Sequence, residues 1–484
     1  MQTRRSSSLV SVVITTYNRA EILTRTLESV LSQTYPAIEI VVVDDGSTDE
    51  TAATVAQFGE RVRYVRQSNQ GVEMARRHGI QASTGDYINF LDDDDLMACT
   101  KIERQVAILD SRLEVGVVHC GYRYIDKDGN ILGMSRRLPE GDMRKSLVWG
   151  CPPWSGGPLI RRQCFDCFGT DEHLDWYSDW GMWLRITLAG YEWACIQEPL
   201  GDYRIVQGSM IDNRIPNAER LIFHLLHEVF GNWKLPPQIL AEKSEIYAGW
   251  HFWICCRYYT VGSWVHAQRN LVKTFQFRPL LLEHPEKLIE LFYWDAMSPR
   301  VRIYDPIQFV NDVFDHLPPE SNTLSHFRSM LLSKVYSGLA IRNYGSGRTK
   351  EAQHQLREAL RLAPALLERP ADFIREVNAY IQSMPGDLPN DLFDIILRNL
   401  LSEAQLSKRR RSRLLAAVSI ARAFNAYSAG LRRLVPKHVL SAIWKDPTWL
   451  NNRSVMAVFI KSLPALLSRL SEGDGPNPAL TGCP

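Results

Sequence analysis

The sequence predicts an α/β fold, a doubly wound and mostly parallel sheet, followed by an α-helical domain with duplicated hairpins. Three observations carry that prediction. Short β-branched apolar runs alternate with amphipathic stretches four times between Leu9 and Leu91, as in successive βαβ units. Two acidic clusters fall just past the ends of two of these runs. Beyond about residue 210, strand signals fade and a Leu-, Ala- and Trp-rich segment carries an internal repeat.

The first run, Leu9 to Thr15, reads as a strand buried on both faces. Arg19 to Gln33 follows as a helix, with Ile22, Leu23, Leu27, Val30 and Leu31 on one stripe. "IEIVVV" is a second buried strand that ends in Asp44-Asp45-Gly46, and Ser47 and Asp49 are placed to cap the next helix. "RVRYVRQ" gives a third strand, "GVEMARRHGIQAS" a helix, and "DYINFL" a fourth strand that runs into Asp92, Asp93, Asp94 and Asp95.

Four adjacent carboxylates repel, and each resists ionising beside the others. In open α/β sheets ligands bind in the crevice beyond the carboxyl ends of the strands. Both acidic clusters therefore fall at one pocket, where a divalent cation would relieve the repulsion. Mg2+ and Mn2+ fit, because hard cations take carboxylate oxygens and are completed by substrate phosphates. A calcium EF-hand is excluded, since Met97 stands where its loop requires glycine.

Composition sets the frame. The 484 residues carry a net charge of +2, with 23% charged and 45% hydrophobic residues. That is an ordinary globular composition with room for two or three domains, and it gives no support to nucleic-acid binding by a basic surface. Nine cysteines, an odd number, read as reduced thiols of a cytoplasmic protein. Cys164 and Cys167 form a CxxC with no second pair at zinc-ribbon spacing. Arg4-Arg5 and the run from Leu9 to Ile14 resemble a signal, but the apolar core is too short and no cleavage site follows. No stretch approaches the roughly 18 apolar residues of a membrane span, which leaves only peripheral membrane contact open.

Taken in order, "VSVVITTYNR", "VVVDDGSTD", "QSNQGVEMARRHGI", "STGDYINFLDDDD" and "WYSDWGMWLRITLAGY" resemble the family 2 glycosyltransferases, inverting enzymes of the GT-A fold. The resemblance covers roughly residues 9 to 207. It implies that Thr15 and Tyr17 hold the nucleotide, Tyr17 against the base. It also implies that Asp45 or Asp44 hydrogen-bonds the base or ribose, and that Arg76 approaches the diphosphate. Arg77 stands where the family more often has Asn. Asp92-Asp93-Asp94 covers the DxD element, with Asp94 the direct ligand of Mn2+ or Mg2+ and Asp92 or Asp93 nearer the ribose. Asp179 fits the catalytic base, with Ser178 in place of the family's Glu, and Asp175 is the reserve. A helix-capping carboxylate is the plain alternative for Asp179.

The resemblance further implies a nucleotide diphosphate sugar as donor, UDP-linked by preference, and a glycan or glycoconjugate as acceptor. "WGCPPWSGGPLIRR" reads as an acceptor-side loop, and Trp154, Trp176 and Trp180 are candidates for stacking on sugar, with core filling as the alternative. His173 reads as a surface residue. Two rival functions are weighed. A nucleotidyltransferase needs a glycine-rich loop where "TTYNR" stands, and a non-catalytic sugar-nucleotide-binding scaffold would not need both Asp94 and Asp179.

In the second half, "GSWVHAQRNLVKTFQFRPLLLEHPEKLI" and "GSGRTKEAQHQLREALRLAPALLERPADFI" align at an offset of 85 residues. Gly262 matches Gly347, Leu271 matches Leu356, Pro279 matches Pro364, and Tyr259 and Tyr344 extend the match. A weaker third copy runs through "AYSAGLRRLVPKHVL", with Pro436 at the turn. The pattern resembles half of a tetratricopeptide hairpin, but its spacing far exceeds that repeat's roughly 34 residues. The expected organisation is a transferase domain over 1–215, helical copies over 216–330 and 331–470, and a disordered tail over 471–484. "LSKRRRSRLL" is the strongest basic run, a solvated face or a contact for an anionic membrane or a lipid-linked acceptor, while the helical half as a whole could shape the acceptor site, dimerise or dock a protein partner.

Overall fold

The computed structural model describes residues 8–135, 138–150, 153–168, 178–205, 215–233, 235–298, 305–363, 408–428 and 431–471. The chain divides into two compact units, Met1–His326 and Phe327–Pro484.

The first unit is built on a mixed nine-stranded sheet. Strands β1 (Val10–Thr16), β2 (Ile38–Asp44), β3 (Arg63–Arg66) and β4 (Tyr87–Asp92) form a parallel block in the order β3-β2-β1-β4. Helices α1 (Ala20–Leu31), α2 (Thr51–Ala56) and α3 (Val72–Ala82) make the crossovers. This is the doubly wound arrangement that the alternation predicts. Val10, Val12, Val13 and Ile14 are fully buried, each contributing about 1.5–3 kcal/mol of apolar burial. Helix α3 packs tightly on β1 at Gly79, where a Cβ would sit 2.2 Å from the Val13 Cγ1.

The other half of the sheet is mixed. β5 (Leu96–Met97), β6 (Val115–Ile125), β7 (Ile131–Ser135), β8 (Leu159–Arg161) and β9 (Glu192–Arg204) follow, with α4 (Lys101–Ser111), α5 (Arg144–Trp149) and α6 (Asp179–Leu188) between them. β8 runs antiparallel between β4 and β6, whereas β9 pairs parallel with β6 through several register shifts. The sequence reading assigned no strands here. β5 and β8 are only two and three residues long, too short for any periodicity to declare itself.

Helices complete the first unit. The Lys243–Thr260 helix lays Trp250 against Trp180, with ring centroids 4.6 Å apart, and donates the Trp250 indole N–H to the Val148 carbonyl at 2.9 Å. It reverses at Gly262 into the Trp264–Phe277 helix.

The duplication is structural as well as sequential. In the second unit the Arg328–Gly345 helix reverses at Gly347 into Thr349–Leu362, with the same lengths of 18 and 14 residues as in the first copy. Both glycines take left-handed φ, +72° and +74°, which glycine adopts without steric cost. The Ser263 N–H reaches back to the Tyr258 carbonyl, and the Arg348 N–H to the Asn343 carbonyl. A third hairpin, Lys408–Ser428 and Val435–Lys445, repeats the bond from the Leu431 N–H to the Ala426 carbonyl. Ala267, Ala352 and Val435 fill one equivalent core position, and Leu271, Leu356 and Val439 the next. The third copy is therefore in register, but the sequence reading misplaced its proline. Pro436 lies buried in the first helical turn, and Pro447 occupies the place of Pro279 after the second helix.

Candidate functional site

Parallel register brings the acidic clusters together. Thr15 lies opposite Asp92, and Thr16 opposite Asp44, so the loops after β1, β2 and β4 open side by side. Asn18 ties the first two loops. Its φ of +53° is unusual for a residue with a side chain. Its N–H donates to the Ser47 Oγ at 2.9 Å, and its Oδ1 accepts from the Thr48 N–H at 2.7 Å. Backbone strain held by such bonds is common at ligand sites. Beside it Thr15 is half-buried and Tyr17 is 46% exposed.

Asp44 and Asp45 have separate duties. Asp44 is fully buried and accepts from the Ser47 N–H at 2.7 Å and from the Tyr64 hydroxyl. Burial, then the bond to Asp44, pushes the Tyr64 phenol up to about 12. No face of Asp44 is left for a base or ribose, which corrects that assignment and makes it a framework residue. Asp45 accepts from the Gln67 side chain at 2.7 Å and from the Gln70 and Gly71 N–H groups at 2.8 Å each. It shapes the loop before α3.

The four aspartates divide three to one. Asp95 is fully buried and accepts from the Arg204 N–H at 2.9 Å and from the Trp154 indole. Burial, then repulsion from Asp94 and Asp92, holds its carboxyl well above the usual range. It is a structural anchor, and the Thr26 hydroxyl secures the same turn by donating to the Asp93 and Asp95 carbonyls. Asp92, Asp93 and Asp94 face cations instead. Arg76, 5% exposed, donates to one Asp92 oxygen at 3.2 Å, and Ser155 donates to the other at 2.6 Å. Arg19 pairs with Asp94 and lies 3.6 Å from Asp93. Burial first, then repulsion from Asp94, raises the Asp93 carboxyl to about 7.

Asp179 opens helix α6. Ser178 caps α6, its Oγ accepting from the Gly181 N–H at 3.0 Å, so the capping duty belongs to the serine. Asp179 occupies the first helical position, accepts from the Trp180 N–H at 2.9 Å and is half-buried. Burial works against the Arg76 charge, but Asp92 first and Asp179 second outweigh it. One guanidinium thus pairs with the end of β4 and feels the charge at the start of α6.

Arg19 and Ser155 escaped the sequence reading. Arg19 ends the "TTYNR" stretch and Ser155 lies in the "PPWSGG" loop, yet neither residue type signals a site without the fold. The tryptophans need correction. Trp154 is 3% exposed, and its indole is wedged where Cβ atoms on Gly156 or Gly201 would come within 2.3 and 2.1 Å. Trp180 is 5% exposed and donates its N–H to the Leu147 carbonyl at 2.7 Å. Both are core residues, not stacking platforms. Trp176, His173 and Asp175 lie outside the described residues. In the CxxC, burial pushes the Cys164 thiol up to about 12 and raises the Cys167 thiol as well, which disfavours the thiolate form of both.

Among the described residues no three carboxylate, imidazole or thiol groups form a closed metal cage. The donor set still fits Mg2+ or Mn2+, which take one or two protein carboxylates and complete their shell with water and phosphate oxygens. The crowded Asp92–Asp94 carboxylates, with Asp93 raised by burial and then by Asp94, supply such hard donors.

Beneath the site lies a lysine without a hydrogen-bond partner. Lys101 is fully buried, and its Nζ sits 6.0 Å from the Trp154 ring centroid. Desolvation lowers its pKa from 10.5 to about 8. The folded state therefore binds fewer protons than the unfolded chain between those values, so this group's destabilising effect is full below about pH 8 and fades as pH rises toward 10.5. Lys101→Met is expected to stabilise the fold by about 3 kcal/mol near neutral pH, with the gain vanishing near pH 10.5. Denaturant melts of both proteins across that range measure it.

Residues 11–167 match the model of glycosyl transferase family 2. A glycosyltransferase of Rickettsia typhi is 33% identical over 197 residues, covering 38% of this chain and 60% of its own. One from Nostoc is 35% identical over 213 residues, covering 40% and 64%. A putative teichuronic acid biosynthesis glycosyltransferase of Bacillus subtilis is 29% identical over 223 residues, covering 44% and 86%. This chain spans 60% of the Rickettsia typhi relative's length and 27% of a Rickettsia bellii relative's. Among solved structures, a mannosyltransferase from Pyrobaculum calidifontis in complex with GDP-Man and Mn2+ aligns at a TM-score of 0.42 and 18% identity, covering 64% and 88% of the two chains.

Proposed function

We propose, from the premise that residues 11–167 of this chain belong to glycosyl transferase family 2, that the protein is a metal-dependent, inverting glycosyltransferase. It moves a sugar from a nucleotide diphosphate sugar, UDP-linked by preference, to a glycan or glycoconjugate acceptor. The observation that carries the reading is Arg76, buried and paired with Asp92 at 3.2 Å, its charge favoured first by Asp92 and then by Asp179.

Thr15 and Tyr17 line the nucleotide side, and Asp45 holds the loop beside them in place. Asp94 would hold Mn2+ or Mg2+ directly, with Asp92 or Asp93 nearer the ribose, and Arg19 would exchange its carboxylate partners for the entering diphosphate. When bound, the cation acts as a Lewis acid that stabilises the departing diphosphate. Arg76 steadies Asp92 and adds positive charge where the diphosphate lies. Asp179 accepts the proton of the acceptor hydroxyl as the new glycosidic bond forms. A single base opposite the leaving group gives direct displacement and inversion at the anomeric carbon.

The test is a panel of nucleotide sugars incubated with Mn2+ and scored for nucleoside diphosphate release. One donor is expected to be hydrolysed slowly, with the activity lost on chelation. Equal release with chelator present would remove the metal from the account.

A further inference from the structure

We propose that the third hairpin copy is a docking face for an anionic lipid surface, and that the first and second copies are not. The three hairpins share a core register, so their exposed positions can be compared one by one. On the second helix of the first copy the exposed face carries Arg269, half-buried Val272 and exposed Gln276. The second copy presents His354, Arg357 and Arg361, all exposed. In the third copy the equivalent positions are Lys437, Leu440 and Trp444. Leu440 is 55% and Trp444 85% exposed, one helical turn apart on one face. Leu431 and Leu434, in the turn just before, are 56% and 47% exposed.

The core does not require these side chains outside. Ala416, Ile420, Ala423, Val435, Val439, Ala442 and Val455 close the third hairpin on its inner face. A tryptophan left almost wholly in water, where the sister copies carry Gln and Arg, has no packing role within the hairpin.

Charge selects the occupant. Residues 408–463 contain twelve Lys and Arg against the single acid Asp446, whereas residues 243–296 of the first copy hold six against five. Lys437 lies on the same helical face as Leu440 and Trp444, Arg433 is exposed in the 3-10 turn just before that helix, and Lys408, Arg409, Arg411, Arg413, Arg432 and Arg453 are also exposed. Apolar and aromatic side chains ringed by Lys and Arg are what an interfacial helix offers to lipid headgroups. Each basic group near an anionic leaflet adds roughly 1 kcal/mol of attraction. Among the described residues no helix is long and apolar enough to cross a membrane, so the contact is a surface one.

The experiment is co-sedimentation of the full chain with phosphatidylglycerol/phosphatidylcholine vesicles and with pure phosphatidylcholine vesicles. Neither assay needs catalysis, so the outcome stands apart from the glycosyl-transfer reading. The wild type is expected to sediment with the anionic vesicles only. Trp444→Gln/Leu440→Gln, which removes both apolar anchors without adding charge, is expected to lower that binding at least about tenfold while circular dichroism stays unchanged. Unchanged sedimentation of this variant, or no sedimentation of the wild type, overturns the proposal. So does a wild-type dimer in sedimentation velocity that the variant converts to monomer without any vesicle binding, because the face would then belong to a second copy of the chain.

Discussion

Asp179→Asn is expected to lower the transfer rate by about 10²–10⁴-fold, the usual contribution of a positioned general base, while donor affinity changes little. The amide keeps the shape of the side chain and its bond from the Trp180 N–H, and Ser178 continues to cap α6, so the helix survives. What disappears is the proton acceptor and one of the negative charges that Arg76 faces. The kcat and the donor Kd are to be measured separately, the latter by calorimetry. A loss confined to kcat assigns the base. An equal loss of donor binding would instead place Asp179 among the nucleotide contacts.

Arg76→Met is expected to damage both halves of the site at once. Asp92 would lose its 3.2 Å ion pair and keep only the Ser155 hydroxyl. Because the Asp92 side chain is 32% exposed, the variant is expected to lose less stability than the about 3–5 kcal/mol of a fully buried pair, and to be inactive. A double-mutant cycle separates the two effects. If Arg76 acts partly through Asp179, the losses in kcat/KM from Arg76→Met and Asp179→Asn will not add in the double variant. Additive losses would show that the two residues work independently.

Much of this site was legible before the fold. Short β-branched runs gave the parallel half of the sheet, because strands buried on both faces must be apolar throughout. The carboxyl-end rule then placed Asp44-Asp45 beside Asp92–Asp94 without any contact information. Individual roles within each cluster were not legible. Adjacent strand-end residues look alike in sequence, yet Asp44 turns to Ser47 and Tyr64 while Asp45 turns to the loop before α3. Asp95 differs from its three neighbours only because the indole of Trp154 and the backbone of Arg204 meet it inside the fold. The same limit explains the tryptophans. Trp154 is a core residue because distant Gly201 leaves it space, and nothing local announces that.

The repeat shows the converse case. Tyr259, Tyr344 and Tyr427 stand three residues before Gly262, Gly347 and Gly430, a spacing visible in the sequence across all three copies. The third copy was hard to align because its core positions hold Val where the other two hold Ala and Leu, as at Val435 and Val439. Burial patterns align where residue identities do not.

The central claim is that the loops after β1, β2 and β4 form a metal–nucleotide site. Calorimetric titration of UDP into the wild-type protein, with Mn2+ and then with chelator, tests it most directly, with GDP as the second nucleotide and Asp94→Asn as the control. Saturable binding that requires Mn2+ and is weakened at least about tenfold in Asp94→Asn is the predicted result. Failure of both nucleotides to bind in the presence of Mn2+ or Mg2+ would contradict it.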